Sequence, residues 1–292
     1  MVGWLQAISN VLPMSYSVEA LTEVGLDHAS LGVHESVFAL ANGHIGMRGS
    51  FEEGEPVVVP GTYLNGFFEE RPLPYAEAGY GYPEAGQTTV NVTNGKIIRL
   101  LVDDEPFDVR SGTLRSHERM LDFRAGVLRR RVEWVSPAGQ GVRVTSVRLV
   151  SLVQRAVAAV LYEVEPIGAP ARLVVQSELV ANEQMPGTAA DPRAAAQLGS
   201  VLRSEQFSHH DARAILVHIT RKSALRMAAG MDHVVAGPAG IEATTESSED
   251  QRPARTFGSP MRSVRRTCAR SLSATASSSR PTPVPASISS RA

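Results

Sequence analysis

The sequence predicts an all-β, mainly antiparallel protein built as one large β-sandwich. Three observations carry this. Runs that alternate apolar and polar residues recur from about residue 88 to about residue 245. Turn-forming clusters of Gly, Pro, Asn and Ser separate them. No strand–helix–strand alternation interrupts the series. The chain has 292 residues, 43% of them hydrophobic, so it can bury a core without disulfide staples.

Residues 1–30 are weakly patterned and are expected to be a lead-in with a short helical piece. Residues 31–68 mix apolar runs with glycines, and 69–87 form a loop rich in Pro, Gly, Tyr and Glu. Thr89, Asn91 and Thr93 then alternate with Val90 and Val92, and Asn94-Gly95 precedes the run Lys96–Val102. Asn-Gly accepts φ > 0 at both positions, so a hairpin turn is predicted there. Val127–Val135 reads as the next strand and Ser136–Gly141 as a turn. Val142, Val144, Ser146, Arg148 and Val150 alternate with Arg143, Thr145, Val147 and Leu149. Apolar residues in both registers suit a strand partly covered on both faces. Ala156–Glu165 and Arg172–Val180 are two further strands. Residues 183–200 form a Pro/Ala/Gly-rich excursion.

Three segments are therefore expected: a lead-in at 1–30, a sandwich at 31–250, and an Arg/Ser/Pro-rich low-complexity tail at 251–292. No acidic residue follows Asp250. Such a tail buries too little apolar area to offset its ordering entropy, so disorder is expected. A shifted reading frame is a second explanation of its composition. A net charge of -1 gives no basis for a nucleic-acid or membrane partner. The single cysteine, Cys268, excludes an intramolecular disulfide and a Cys-rich zinc site. The N-terminus lacks a basic n-region and no apolar run is long enough to span a bilayer, so a cytoplasmic location is expected.

Chemistry is sparse at the level of motifs. Nucleophile-elbow, P-loop and dinucleotide-loop patterns are absent. His209-His210-Asp211 reads as an exposed turn rather than a metal site, since adjacent strand residues point to opposite faces. His44 and His117 read as structural. Glu52-Glu53 and Asp103-Asp104-Glu105 are expected to face water. No residue is catalytic on spacing alone, and no cofactor or metal is implied. The loop 75–86 offers Tyr75, Tyr80 and Tyr82 among glycines as candidate substrate-binding residues. Tyrosine suits sugar contacts with its apolar face and hydroxyl. The competing role is to pin the loop to the sandwich.

Glu35–Gly49, reading ESVFALANGHIGMRG, resembles the opening signature of glycoside hydrolase family 65. Glu52-Glu53-Gly54 with Pro60–Glu69, and Leu121–Arg130, are similar to two further blocks of that family. The likeness covers roughly residues 17–245. It implies an N-terminal β-super-sandwich, followed in the family by a helical linker, an (α/α)6 barrel with the general-acid glutamate, and a small β-domain. The family comprises maltose, trehalose and kojibiose phosphorylases and trehalose hydrolases. Inorganic phosphate is the co-substrate of the phosphorylases, and α-linked glucose disaccharides are the sugars. One acid protonates the departing oxygen in either case. A homodimer is compatible with the resemblance. The barrel is expected to lie outside this sequence, so no catalytic residue transfers to it. A fragment inactive alone is the expected function; a stand-alone carbohydrate-binding or association module is the alternative.

Overall fold

The computed structural model describes residues 19–72, 81, 85–183, 200–210, 213–237, 245–252, 262–273 and 286–291, with backbone alone from 245 onward. Strand β1 (Ala20–Val24) precedes a seven-residue helix α1 (Leu31–Val37). Short strands β2 (Leu40–Ala41), β3 (Ile45–Met47), β4 (Thr62–Leu64), β5 (Phe68–Pro72) and β6 (Ala85–Thr89) follow. Then come β7 (Asn94–Val102), β8 (Glu105–Pro106), β9 (Thr113–Asp122), β10 (Val127–Val135), β11 (Gly141–Val150), β12 (Ala158–Ile167) and β13 (Arg172–Val180). The series ends with β14 (Leu202–His210), β15 (Arg213–Thr220), β16 (Arg226–Ala236), β17 (Thr245–Arg252), β18 (Arg262–Ser273) and β19 (Ala286–Arg291).

These strands form a nine-stranded sheet in the order β1-β9-β10-β11-β12-β19-β16-β15-β14 and a five-stranded sheet in the order β17-β18-β13-β7-β8. Every ladder is antiparallel. The predicted all-β sandwich is the observed one. Its main core lies between the two sheets. From the large sheet come Val132, Trp134, Val142, Val144, Val160, Tyr162 and Val164; from the small one Ile98, Leu100, Val102, Leu173 and Val175. Period-two alternation places them there, and each large apolar side chain so buried contributes about 1.5–3 kcal/mol. Trp134 is fully buried and donates its indole N–H to Ser111 O at 2.6 Å. Gly112 (φ +65°) packs against that ring, where a Cβ would lie 3.0 Å from Trp134 Cε2.

The expected hairpin at Asn94-Gly95 does not form. Asn94 opens β7, which pairs with β13 rather than with a preceding strand. Its buried side chain accepts from Lys96 N (2.9 Å) and donates to Glu183 (2.9 Å), and neither Asn94 nor Gly95 has positive φ. Tertiary hydrogen bonds outweigh the local turn preference. The two-residue hairpin instead joins β7 to β8 at Asp103-Asp104, both with positive φ (48° and 70°). Aspartate tolerates that region better than most residues. The sandwich also begins earlier than residue 31, because β1 pairs with β9. Most of the 1–30 lead-in, where a short helical piece is expected, falls outside the described residues, and a seven-residue helix lies at Leu31–Val37. An Asp27 turn leads into it, with Asp27 accepting from Ala29 N (2.9 Å) and Ser30 Oγ (2.8 Å).

Beyond Arg252 the backbone of β18 lies between β17 and β13, and that of β19 lies between β12 and β16. The other residues of the 251–292 segment fall outside the described set, as do residues 184–199 of the Pro/Ala/Gly excursion. Among the described residues no helix is long and apolar enough to cross a membrane.

Candidate functional site

The segment Arg48–Glu53 lies across strands β9, β10 and β11, and three arginines rise from those strands to hold it. Arg119 (β9), Arg130 (β10) and Arg148 (β11) all occupy the buried register and are 1–4% exposed. Arg148 donates to Arg48 O (3.2 Å), Ser50 O (2.9 Å) and Glu52 Oε1 (2.6 Å). Arg130 grips Glu53 with both terminal nitrogens, at 2.6 and 2.7 Å, and reaches Glu52 Oε2 at 3.3 Å. Arg119 donates to Gly49 O (2.9 Å) and Glu23 Oε2 (2.5 Å). The guanidinium carbons of Arg119 and Arg130 lie over the Phe51 ring, 4.8 and 4.1 Å from its centroid. A buried guanidinium needs partners of this kind, and each of the three has at least two oxygen acceptors here, although Arg119 Nη2 and Arg148 Nε have none among the described residues.

Glu52 and Glu53 therefore do not face water as their adjacency suggested. They are 2% and 3% exposed, because their counter-charges arrive from strands some eighty to a hundred residues along the chain. Burial alone raises Glu52, but Arg148 and Arg130 more than offset it and hold the carboxyl at about 2. Burial, with the neighbouring Glu52 charge, pushes Glu53 up. Next to them, His117 faces Gly25 O through Nδ1 (3.0 Å), and its Nε2 accepts from Arg130 Nε (3.3 Å). These partners assign the neutral tautomer with the proton on Nδ1. Burial and the Arg130 charge lower its pKa to about 4.

The other buried carboxylates are committed in the same manner. Glu35 accepts from Val58 N (2.9 Å), Val59 N (3.1 Å) and Arg48 (3.5 Å). Glu69 accepts from the amides of Glu70, Arg221, Lys222 and Ser223 at 2.8–3.2 Å. Glu178 receives Arg99 (3.1 Å) and Gln176 (2.7 Å). A general acid must hold a proton near neutral pH and present it to a leaving group. Glu52, clamped by two arginines, stays ionised, and Glu53, though its pKa is raised, is buried with both oxygens on Arg130 and presents no proton to a leaving group, so among the described residues this cluster is a structural clamp.

The block Glu35–Gly49 is structural as well. Arg48 donates to Gly32 O (3.1 Å) and pairs with Glu35, as expected of an arginine beside apolar strands. Gly43 sits in a turn at φ +80°. Asn42 closes that turn by accepting from His44 N and Ile45 N, both at 2.8 Å. At Gly49 an added Cβ would lie 2.7 Å from Phe38 Cβ and 2.8 Å from Phe38 O. Gly46 lies in strand β3, where a Cβ would meet Ala41 Cβ at an ordinary contact distance of 3.9 Å.

Tyr75, Tyr80 and Tyr82 lie outside the described residues. His209 and His210 end strand β14 and are exposed, and His209 stacks on Phe207 with ring centroids 5.7 Å apart. No group of three or more His, Cys, Asp or Glu side chains among the described residues could hold a metal ion.

Comparison with known proteins agrees with the fold. The family model described as glycosyl hydrolase family 65, N-terminal domain, matches residues 21–289. An uncharacterized glycosyl hydrolase of Mycobacterium tuberculosis is 60% identical over 228 residues, covering 78% of this chain and 29% of that one. The α,α-trehalose phosphorylase of Thermoanaerobacter brockii is 36% identical over 222 residues, covering 74% of this chain and 29% of that one. A solved structure inferred to be a kojibiose phosphorylase from the human microbiome superposes with a TM-score of 0.71 at 17% identity. That match covers 94% of this chain and 32% of the other. The chain thus spans less than a third of the length of these curated relatives. By its family match and its sandwich alike, it belongs to glycoside hydrolase family 65 and carries that family's N-terminal domain.

Proposed function

We propose that this chain is the N-terminal sandwich of an enzyme acting on α-linked glucose disaccharides in carbohydrate metabolism, and that it performs no turnover alone. In a phosphorylase the attacking group is inorganic phosphate, and in a hydrolase it is water. The observation that supports this is the state of the buried carboxylates. Glu35, Glu52, Glu53, Glu69 and Glu178 are all engaged by arginines or backbone amides, which leaves none of them poised as a general acid. The sandwich would supply a rigid scaffold, and the sugar chemistry would come from the rest of the enzyme. Tyr75, Tyr80 and Tyr82 remain its proposed sugar contacts, of weak affinity without an enclosing pocket. A cytoplasmic location is part of the same proposal.

The test is a domain exchange. The 60%-identical mycobacterial relative is prepared intact and with its matching segment replaced by this chain. Glucose release from trehalose, maltose and kojibiose is then measured with and without phosphate. The exchange should retain the disaccharide preference and phosphate dependence of the intact relative. A folded exchange protein that releases no glucose where the intact relative does would contradict the proposal.

A further inference from the structure

Lys96, in β7, is 1% exposed and reaches β4 with its amine. Its amine donates to Thr62 Oγ1 at 2.8 Å and to Gly61 O at 3.2 Å. Both acceptors are neutral oxygens, and among the described residues no ion pair forms at this nitrogen. An ammonium carries three N–H donors and a neutral amine two. Two acceptors therefore match the neutral amine, while a buried ammonium would leave a donor and a full charge uncompensated. The charged groups around it come from every packed element: Arg148 from β11, Glu183 after β13, Glu35 from α1 and Glu52 from the 48–53 segment. Glu35 and Glu52 are already neutralised by Arg48, Arg148 and Arg130, whereas Glu183 accepts from the neutral Asn94 amide through Oε1 and makes no ion pair with Lys96 among the described residues.

We infer that Lys96 is an uncharged amine at mildly alkaline pH, and that its protonation loosens strand β4 from β7, making this joint a pH-responsive latch. The latch closes on backbone that holds the Glu35–Gly49 block. Gly61 O accepts from both Lys96 and Arg48 N (2.9 Å), so the same carbonyl ties the Glu35–Gly49 block to β7. Burial and the adjacent Arg148 charge lower the lysine to about 7, in agreement with the hydrogen-bond count.

The sign is fixed by linkage. The lysine's folded value lies below its ordinary 10.5, so an opened joint binds the proton more tightly than the closed one. Stability of the joint is then gained as pH rises from about 7 to about 10.5 and lost as pH falls. With those two values, lowering pH from about 8 to about 6 should raise the opening equilibrium roughly tenfold.

The sequence makes the test direct, because Lys96 and Lys222 are its only lysines. Carbon-13 labelling at lysine Cε yields two signals, and Lys222→Arg, at an exposed turn, assigns them. The Lys96 signal should titrate with a midpoint near 7. Hydrogen exchange at Gly61 and Thr62, corrected for intrinsic rates, should show about tenfold lower protection at pH 6 than at pH 8. Amides in the centre of β15 serve as the reference and should not follow. Both lysine signals titrating above pH 10 would overturn the inference. A Lys96 midpoint near neutrality with unchanged protection at Gly61 and Thr62 would overturn the latch.

Discussion

Replacing Arg130 by methionine tests the carboxylate clamp at its centre. Arg130 is 4% exposed and supplies the two shortest bonds to Glu53, a contact to Glu52, and the donor to His117 Nε2. Methionine fills much of the space but leaves Glu53 buried without a counter-charge. Removing one partner of a buried pair costs roughly 3–5 kcal/mol. Losing the guanidinium over Phe51 adds about 1 kcal/mol. Urea unfolding of Arg130→Met at neutral pH should therefore show a loss of about 4–6 kcal/mol, or no folded state. Adding Glu53→Leu removes the stranded charge, and the double variant should recover at least about 2 kcal/mol over the single one. Mild acid should also partly rescue the single variant, because protonating Glu53 neutralises it. The clamp account is refuted if Arg130→Met costs less than about 1 kcal/mol, or if the second substitution worsens the first.

Other outcomes follow from the same structure. Gly49→Ala should lower the unfolding midpoint by the equivalent of about 1–3 kcal/mol, since its Cβ meets Phe38 backbone and side chain. Gly46→Ala, whose Cβ would meet only Ala41 Cβ at an ordinary 3.9 Å, should change little. For pH dependence, His117 titrates at about 4 in the folded chain against an ordinary 6.5, so its stabilising contribution is full above about 6.5. That contribution is lost as pH falls toward about 4, and Glu52 adds a second loss between about 4.5 and about 2. Urea midpoints recorded from pH 7 to pH 4 should fall, and His117→Asn should flatten the upper part of that fall. Calorimetry of the chain alone should find trehalose and maltose affinities no tighter than about millimolar, as expected of an incomplete pocket.

The long strands were legible because they obey period two and end in turn residues. Val127–Val135, Gly141–Val150, Ala158–Ile167 and Arg172–Val180 lie within a few residues of their expected places. The carboxylate clamp was not, because nothing local to Glu52-Glu53 reveals its partners. Yet a signal existed. Arg130 sits between Leu128 and Val132 in the buried register, and Arg148 between Ser146 and Val150. An arginine in the apolar phase of a strand requires a buried anion nearby. Three such arginines therefore called for carboxylates such as Glu23, Glu52 and Glu53. Asn94-Gly95 failed as a hairpin for the opposite reason: its local signal was strong, but pairing of β7 with a strand some eighty residues later decided the register. The sugar contacts proposed at Tyr75, Tyr80 and Tyr82 rest on residue chemistry alone.

The central claim is that this sandwich is a structural part of a family 65 enzyme whose own carboxylates do no glycosidic chemistry. It is tested most directly by turnover of the purified 292-residue chain, shown to be folded by its β-type circular dichroism. Glucose release from trehalose, maltose and kojibiose, followed with and without phosphate, should stay at the level of a protein-free blank. Sustained release that is abolished by Glu53→Gln, in a variant that keeps the same circular dichroism, would contradict the claim, because it would place the catalytic acid inside the clamp.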